Sequence, residues 1–491
     1  MRITRRVVAR QSRWRALAIC FATAVALGSA SAPAGGTVAR VAVPLGGVAV
    51  AVRGLPAHIA ASVNSVSCWM VGSCAAGGTV DVSQHAHAFV VNEVKGVWGA
   101  AQLVKGVNSD LSAGVSDVTS IACSSTGICV AMGTYYRVHA SDPFQSVFVV
   151  DGQGTRWGRA NFVPGLAALD AGGVAVGMAL SCGRTSTCGL GGYYTDGTSQ
   201  LRGFVAAERN NAWGSALEVP GLAAINVTGG SQVQAMSCTA TSNCVAGGFY
   251  DDASGHYQGF VAEERNGTWR SAMDVPGLVA LNTTTPSAYA AVNAVSCAVA
   301  GQCVAVGEFT DQTGVHRGFA ATEHAWVWGN ATTIPGLGNL GPKGAKVLLA
   351  ACPAVGACTL AGTYVDAQSA IQGFVANERS GKWGPAAAIR GLAALNAGQT
   401  VTLGPGTLSC ASAGICAVGG DYRDRKYVHR EFYSYESAAK WTGAARVPGV
   451  APLSLGGDSS VQGVACPAPT RCLFVGYFND KRVNAQGFVT P

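Results

Sequence analysis

Sixteen of the 17 cysteines form eight pairs, and five residues separate the two cysteines of each pair. The pairs are Cys68 and Cys74, Cys123 and Cys129, Cys182 and Cys188, Cys238 and Cys244, Cys297 and Cys303, Cys352 and Cys358, Cys410 and Cys416, Cys466 and Cys472. Zinc sites favour closer cysteines and neighbouring histidines, and no histidine recurs beside these pairs. We therefore predict eight structural disulfides, each closing a short hairpin and contributing about 2 kcal/mol in the chain-entropy model.

The densest run of charged side chains after the first 15 residues is 421–431. A solvated loop explains such a run, but it is also where we expect a polar or anionic ligand if one binds. The candidate ligand-binding residues are Arg423, Asp424, Arg425, Lys426, His429 and Arg430. We identify no catalytic, cofactor or metal residues in the sequence.

An aromatic residue followed two positions later by aspartate recurs in six loops, as in Tyr250-Asp251-Asp252. Aspartate at such places is typical of turns, and no loop holds the set of oxygen ligands that calcium requires. Six of the eight histidines lie in the same class of loop, namely His85, His87, His139, His256, His316 and His429. We expect these histidines to be solvated rather than to bind metal.

The cysteine pairs start 55 to 59 residues apart, and this period predicts a repeat architecture. Each pair is followed by a phenylalanine, at 89, 148, 204, 260, 319, 374, 432 and 488, and each of the first seven by a tryptophan nine residues later. Four short strands fit each repeat: one ending at the first cysteine, one leaving the second, one through the phenylalanine and one through the tryptophan. The sequence predicts an all-β, eight-bladed β-propeller with blades starting near 68, 123, 182, 238, 297, 352, 410 and 466.

The two ends of the chain complement each other. The last repeat stops at Pro491, shortly after its phenylalanine, and so lacks a fourth strand, whereas Val52-Arg53-Gly54-Leu55 matches the turn that follows that strand elsewhere. Residues 40–56, with Gly46 in the tryptophan position, are therefore predicted to complete the eighth blade. This would leave no open edge in a single propeller domain of residues 33–491.

Loop lengths differ between the two faces that such a ring would have. The connections between strands 1 and 2 and between strands 3 and 4 have constant length. The connections between strands 2 and 3 and between consecutive blades vary, the former between 15 and 19 residues from cysteine to phenylalanine. Because variable loops commonly carry function, we predict that the face with the variable loops binds a partner.

The N-terminus has the features of an export signal over residues 1–32. Six arginines in the first 15 residues precede the apolar run Ala16 to Leu27 and a stretch of small residues. An uncleaved membrane anchor is the alternative, although the run is shorter than the roughly 20 residues that span a bilayer. Without these arginines the net charge falls from +7 to about +1. We thus expect a secreted monomer with no membrane span in the mature chain and no affinity for nucleic acid.

The segment from Gly259-Phe260-Val261 to Asn266-Gly267-Thr268-Trp269 resembles the extracellular propeller repeats of the HAF and kelch kind. It is also loosely similar to the Asp-box turn of sialidases, although the Asp and Gly are out of register. The first resemblance implies fold and export rather than a chemistry.

Our leading hypothesis is a non-enzymatic secreted or cell-surface protein that binds a glycan, peptide or surface partner. The alternative is a sialidase-like glycoside hydrolase or lyase with its site at the channel mouth. Such an enzyme needs a carboxylate pair or an arginine cluster at one place. The glutamates that follow the phenylalanine strands in several blades, Glu208, Glu264, Glu323 and Glu378, are predicted to be structural.

Overall fold

The computed structural model describes residues 47–491 apart from 57, 84, 108–113, 138–143, 186, 240–241 and 286–287. The predicted export signal lies outside these residues. The described chain forms eight antiparallel sheets, one per repeat, arranged around a central channel. The predicted eight-bladed propeller is therefore confirmed.

Each blade has three long strands, numbered from the channel outward. In blades 1 to 4 they are Ala61–Met70, Ser73–Val82 and His85–Val94; Gly114–Cys123, Ile128–Arg137 and Phe144–Gln153; Ala175–Cys182, Cys188–Thr195 and Leu201–Arg209; Ser231–Cys238, Cys244–Asp251 and Tyr257–Arg265. In blades 5 to 8 they are Ala290–Val299, Gln302–Thr310 and His316–His324; Ala345–Ala354, Ala357–Val365 and Ile371–Arg379; Val401–Thr402 with Leu408–Ser412, Ile415–Arg423 and His429–Ser437; Ser459–Ala468, Arg471–Asn479 and Ala485–Val489.

The fourth strand is short and, in blades 1 to 6, split into two pieces that both pair with the third strand. The pieces are Val97–Trp98 and Gln102–Leu103, Arg156–Trp157 and Asn161–Phe162, Ala212–Trp213 and Leu217–Glu218, Thr268–Trp269 and Met273–Asp274, Val327–Trp328 and Thr332–Thr333, Lys382–Trp383 and Ala387–Ala388; blade 7 has Lys440–Trp441. The sequence predicted one strand through each tryptophan, and in blades 1 to 6 the strand is interrupted directly after the tryptophan, at a glycine in five of these blades and at Arg270 in blade 4.

A four-residue helix follows the fourth strand in six blades, which the sequence analysis had described only as a turn. The helices are Leu166–Leu169, Leu222–Ile225, Leu278–Leu281, Leu337–Leu340, Leu392–Leu395 and Val450–Leu453. Each begins after a glycine with positive φ, such as Gly165 at 72°, a conformation that side chains other than glycine rarely adopt. The first residue of each helix is buried, so its side chain packs the connection between two blades against the hydrophobic core.

The N-terminal strand closes the ring. Val50–Ala51 pairs antiparallel with the third strand of blade 8, and this position corresponds to the second piece of the fourth strand in other blades. The Ala49 amide donates to the Pro448 carbonyl of blade 7, and the Ala101 amide of blade 1 donates to the Arg53 carbonyl. The same backbone bond recurs at the other six blade junctions, so closure uses the interaction that joins every pair of neighbouring blades. Gly46, predicted at the tryptophan position, lies outside the described residues.

Eight hydrophobic clusters fill the junctions between neighbouring blades, one at each junction. All eight repeat phenylalanines are fully buried there, as predicted. The tryptophans lie at the edge of these clusters, and several indole groups hydrogen-bond to the preceding blade, as Trp98 Nε1 does to the Thr490 carbonyl. Both aromatic positions are structural.

All eight predicted disulfides are present, one per blade. Each joins the first and second strands next to the hairpin between them. In five blades the serine before the first cysteine accepts a hydrogen bond from the corresponding cysteine amide of the next blade, as between Ser67 and Cys123. The disulfide end of the channel is thus linked both within and between blades.

Candidate binding face

Hydrogen bonds between loops define two faces of the ring. On the first, here called the disulfide face, the turn between strands 3 and 4 bonds to the hairpin between strands 1 and 2, as Gly96 does to Gly72. On the second, the loop face, the connection between blades bonds to the loop between strands 2 and 3, as Asp170 does to the Thr195 amide. The predicted grouping of constant and variable loops is confirmed.

The recurring loop aspartates of blades 3 to 8 build the turns of the loop face. One oxygen of each accepts hydrogen bonds from backbone amides two and four residues later, and the other contacts a side chain in all six. In five blades that side chain lies six residues later, as in Asp196 and Arg202. The Thr198 hydroxyl, with Arg202 and the amides, holds the pKa of Asp196 well below its usual range despite some burial. These carboxylates are already satisfied by the turn.

Four of the six candidate residues in blade 7 belong to this turn or contact it: Asp424, Arg425 and Lys426 lie within it, and Arg430 contacts its aspartate. Asp424 accepts from the Lys426 and Val428 amides, and its second oxygen lies 2.9 Å from Arg430 Nε. Arg430 also donates to the Gly457 carbonyl of the next blade. The same arrangement occurs at Asp311 and Arg317 in blade 5, so it is not particular to blade 7.

The structure brings two further candidates together in a polar cluster. His429 Nδ1 lies 2.6 Å from Asp421 Oδ2, and Arg423 Nε donates to His429 Nε2 at 3.1 Å. The Ser460 hydroxyl of blade 8 donates to the other oxygen of Asp421. Because both imidazole nitrogens and both carboxyl oxygens have partners, this cluster is built to hold blades 7 and 8 together.

A row of aromatic rings crosses blades 4 and 5 on the loop face, and the sequence analysis did not identify it. Phe249 and Tyr257 pack edge to face at 5.0 Å, Tyr257 lies 5.5 Å from Tyr289, and Tyr289 lies 6.1 Å from the His316 ring. Phe249 is buried, whereas Tyr257 is 37% exposed. The row therefore combines a buried ring, Phe249, with a ring that solvent or a ligand can reach, Tyr257.

A cluster of ionisable groups stands at the end of this row. Glu308 is buried, and its Oε2 lies 2.8 Å from His316 Nδ1 and 3.0 Å from Lys346 Nζ. Burial, then Glu308, then Tyr257 raise the pKa of Tyr289 to about 12, so its hydroxyl keeps its proton. His316 and Lys346 are about two-fifths exposed. The site offers hydrogen-bond donors beside an aromatic surface.

The channel itself contains a cavity of about 450 Å³ lined by the first strands of all eight blades. In seven blades a bulge in this strand adds one residue, among them Asn64, Met178 and Gln234. Blade 7 instead inserts Gly404-Pro405-Gly406 at this position. Among the described residues that line the cavity, none has an ionisable side chain apart from disulfide-bonded cysteines.

Three carboxyl groups on the first or second strands of their blades have separate partners. Asp117, Glu308 and Asp421 occupy blades 2, 5 and 7, and hydrogen bonds or ion pairs attach them respectively to the Thr134 amide, to His316 with Lys346, and to His429 with Ser460. No contact joins one of these three carboxyl groups to another in the part of the chain described. These three carboxyl groups therefore do not form with one another the pair that glycoside hydrolysis uses.

A second set of carboxyl groups lies between blades near the disulfide face. Glu93, Glu208, Glu264, Glu323, Glu378 and Glu436 occupy the position four residues after the repeat phenylalanine, and all are buried. Glu93 pairs with Arg471 and Glu264 with Arg209. Burial, and then Asp151, raise the pKa of Glu208 to about 7; burial, and then Glu263, raise that of Glu323 to about 8. That Glu208, Glu264, Glu323 and Glu378 are structural stays a prediction, and their burial between blades is consistent with it.

The aromatic row escaped sequence analysis because its members come from distant segments. Tyr257 and Tyr289 are 32 positions apart in the sequence. Neither is one of the cysteine, phenylalanine or tryptophan positions that define the repeat. One signal in the sequence could have revealed the row. Aromatic residues occupy loop positions in blades 4 and 5 where most other blades have aliphatic or polar residues. The density of charged residues, which led to the prediction of a site in blade 7, reflects side chains that form a turn there.

Fold and site together define a disulfide-bonded β-propeller with a variable, partly aromatic loop face. No family model and no curated protein matches the chain. Among solved structures it is similar to Chaetomium thermophilum Sqt1, with 10% identity, a TM-score of 0.45, and coverage of 89% of this chain and 97% of that one. It is also similar to the Hadza microbial sialidase Hz136, with 12% identity, a TM-score of 0.36, and coverage of 83% and 73%.

A third similar structure is a polysaccharide lyase, an ulvan lyase, with 8% identity, a TM-score of 0.39, and coverage of 82% of this chain and 94% of that chain. At such identities these resemblances concern the propeller fold and carry no functional argument. Function has to be argued from the site itself.

Proposed function

We propose that this protein is a secreted or cell-surface binding protein that holds a glycan on the loop face of blades 4 to 6. The observation that carries the proposal is the aromatic row from Phe249 to His316, which ends at the Glu308 and Lys346 side chains. A sugar ring offers C–H groups on its faces and hydroxyl groups around its edge. It therefore matches a surface in which exposed aromatic rings adjoin hydrogen-bonding side chains.

The predicted export signal and the disulfides both support this proposal. Eight disulfides in one chain are typical of proteins that mature in an oxidising compartment. No helix in the described part of the chain has the length and apolar character needed to cross a bilayer. Together with the predicted export signal of residues 1–32, these features support a location where the loop face would meet extracellular glycans.

A binding role is favoured over catalysis because the channel cavity has an uncharged lining and the nearby carboxyl groups have partners. Glycoside hydrolysis uses two carboxyl groups on opposite sides of one bond. In blade 5 the buried Glu308 carboxyl contacts both His316 and Lys346. No second carboxyl group is among these contacts, so the arrangement suits the orientation of a bound hydroxyl group.

The test is a glycan array probed with the mature chain, its Tyr257→Ala variant and a matched control. Phe162→Ala is the control because Phe162 is an exposed aromatic residue of blade 2, outside the row. We expect the native chain to bind a defined set of glycans, Tyr257→Ala to bind them about tenfold more weakly, and Phe162→Ala to bind normally.

A panel of chromogenic glycosides should be assayed beside the array. Turnover of any of them by the native chain would replace the binding proposal with the hydrolase alternative. Equal losses in the Tyr257→Ala and Phe162→Ala variants would move the binding site away from blades 4 to 6.

A further inference from the structure

Two neighbouring loops of the loop face, in blades 7 and 8, carry positive charges at their tips, outside the proposed glycan site. Each loop is built on the aspartate turn described above, and the two residues after the aspartate are cations exposed to solvent. A third exposed residue follows each pair of cations, Tyr427 at 71% and Val483 at 65%. These six residues are here called the basic patch: Arg425, Lys426, Tyr427, Lys481, Arg482 and Val483.

The same turns in blades 3 to 6 display no charge at the two positions after the aspartate. The residues there are Gly197 and Thr198, Ala253 and Ser254, Gln312 and Thr313, Ala367 and Gln368. The turn itself is common to all six blades, because each aspartate accepts hydrogen bonds from the amides two and four residues later. The fold therefore does not require cations in blades 7 and 8.

The residue that follows the cations has an unusual backbone conformation for its type. Tyr427 and Val483 have φ angles of 61° and 66°, in the left-handed region where large and β-branched residues are rare. Glycine or serine occupies this position in the other four blades, namely Ser199, Gly255, Gly314 and Ser369. An exposed tyrosine and an exposed valine at a position that favours glycine indicate that these side chains serve a contact beyond the fold.

The connection between blades 7 and 8 holds the two tips side by side. A β-carbon added to Gly456 would lie 1.9 Å from the Asp480 carbonyl oxygen, so the connection packs directly on the blade 8 turn. The neighbouring Gly457 carbonyl accepts a hydrogen bond from Arg430, which is also bound to Asp424 of the blade 7 turn. The basic patch is therefore one surface on two loops that a short connection joins.

The four cations of the patch are available to a partner. In the described part of the chain, no ion pair and no side-chain hydrogen bond engages any of them. The aspartates beside them are already paired: Asp424 lies 2.9 Å from Arg430, and Asp480 lies 2.9 Å from His58. The patch therefore presents positive charge that the rest of the chain does not compensate.

We propose that the basic patch binds an acidic protein segment in which acidic and apolar side chains alternate. Charge complementarity selects an acidic partner, and arginine and tyrosine are enriched among the residues that dominate binding between proteins. An anionic polysaccharide would match the cations but would offer no apolar side chain to Val483. A bilayer favours apolar side chains that are segregated from charged ones, whereas each tip carries both kinds within three consecutive residues.

The test measures binding of the mature chain to a random copolymer of glutamate and tyrosine. Polyglutamate, polygalacturonate and vesicles of phosphatidylglycerol are the alternative probes. We expect the native chain to bind the copolymer most tightly, and less tightly as salt screens the exposed charges. The double variant Lys426→Gln, Arg482→Gln should bind the copolymer about tenfold more weakly. The matched control is Lys95→Gln, Lys382→Gln, which removes two exposed lysines of the disulfide face and should bind like the native chain.

A second double variant, Tyr427→Ser, Val483→Ser, separates the apolar contact from the charge. Serine occupies the same position of the turn in blades 3 and 6, so this variant should be at least as stable as the native chain in thermal denaturation. We expect it to bind the copolymer about fivefold more weakly, with its affinity for polyglutamate unchanged.

Three results would overturn the proposal. The native chain could fail to bind the copolymer, or the Lys426→Gln, Arg482→Gln variant could bind it as tightly as the lysine control does. Polygalacturonate or the vesicles could also bind more tightly than the copolymer and be lost in the same variant, which would assign the patch to a polysaccharide or a bilayer. Glycan-array binding by both patch variants should be unchanged, and Tyr257→Ala should bind the copolymer normally, so the two proposals fail independently.

Discussion

The disulfide face and the loop face are made by the same eight repeats but differ in how their structure is secured. On the disulfide face, three features recur from blade to blade: disulfides, hydrogen bonds from cysteine amides to serine hydroxyls, and buried glutamates. On the loop face, the recurring aspartate turn secures the base of each loop while the residues around it vary. The difference indicates that contacts on the disulfide face stabilise the fold. Residues on the loop face can therefore vary between blades without loss of the fold.

Removing the closing strand tests this comparison most severely. A chain that starts at residue 57 loses the buried side chains of Ala49 and Val52 and the two backbone bonds that join blade 8 to blades 7 and 1. We expect a loss of roughly 4 kcal/mol in the free energy of unfolding, with aggregation through the exposed strand edge. Chemical denaturation against a chain that starts at residue 47 measures it. Equal stabilities would show that the ring does not depend on its closure.

Glu208→Gln tests the buried glutamates of the disulfide face through pH. In the unfolded chain Glu208 ionises near pH 4.5, whereas the fold raises its pKa to about 7. Below pH 4.5 both states hold the proton; between these values only the unfolded chain releases it, so native stability falls as pH rises and stays lower above pH 7. We expect the variant to be about 2 to 3 kcal/mol more stable than the native chain at pH 8 and equally stable at pH 4.

Glu93→Gln is the comparison for that measurement, because Glu93 has an arginine partner, Arg471, that Glu208 lacks; burial nevertheless raises the pKa of Glu93 as well. The Glu93→Gln variant leaves a mostly buried arginine without its carboxylate, so it should lose stability at pH 8. If Glu208→Gln also loses stability at pH 8, the raised pKa of Glu208 does not govern the effect.

Removal of one disulfide gives a smaller effect. The double variant Cys297→Ser, Cys303→Ser should lower the free energy of unfolding by about 2 kcal/mol, since the loop it releases is short. Thermal or chemical denaturation under non-reducing conditions measures the loss, and binding at the loop face of the same blade should be retained. Loss of binding at temperatures where the variant is folded would show that the two faces are coupled.

The aspartate turns give the smallest effect and separate structure from binding in blade 7. Asp424→Ala removes two hydrogen bonds from amides and the contact with Arg430, and we expect a loss of about 1 to 2 kcal/mol. Asp311→Ala in blade 5 should cost slightly more, because Asp311 accepts the same three hydrogen bonds and a fourth from the Thr313 hydroxyl. If Asp424→Ala lowers the free energy of ligand binding by much more than it lowers the free energy of unfolding, blade 7 is a binding site.

Repetition made most of the fold predictable. Eight cysteine pairs and eight phenylalanines at regular intervals, with tryptophans in seven of the repeats, predicted the blade count, the disulfides and the strand order, because these residues recur at the same positions in the blades. The complementary ends predicted closure, which Val50–Ala51 provides. The four-residue helices and the bulges were not predicted, since each arises from the position of one glycine or one extra residue that strand patterns do not register.

The candidate site was less predictable, for the opposite reason. A binding surface is assembled from residues that do not repeat, and Tyr257 and Tyr289 become neighbours only when blades 4 and 5 pack. The charged run of blade 7 was easy to see, yet Asp424 and Arg430 form a turn that polar residues elsewhere also form. The assignment of the export signal and the cell location remains a prediction from sequence.

The close approach of Gly47 and Pro491 has a consequence for engineering. Since the first and last described residues adjoin, a short linker between them would make the backbone a continuous circle, and new ends could be opened in any loop between strands 2 and 3. Permuted chains of this kind would all carry the same blades in the same cyclic order. A fusion partner could then be placed beside any chosen blade of the ring.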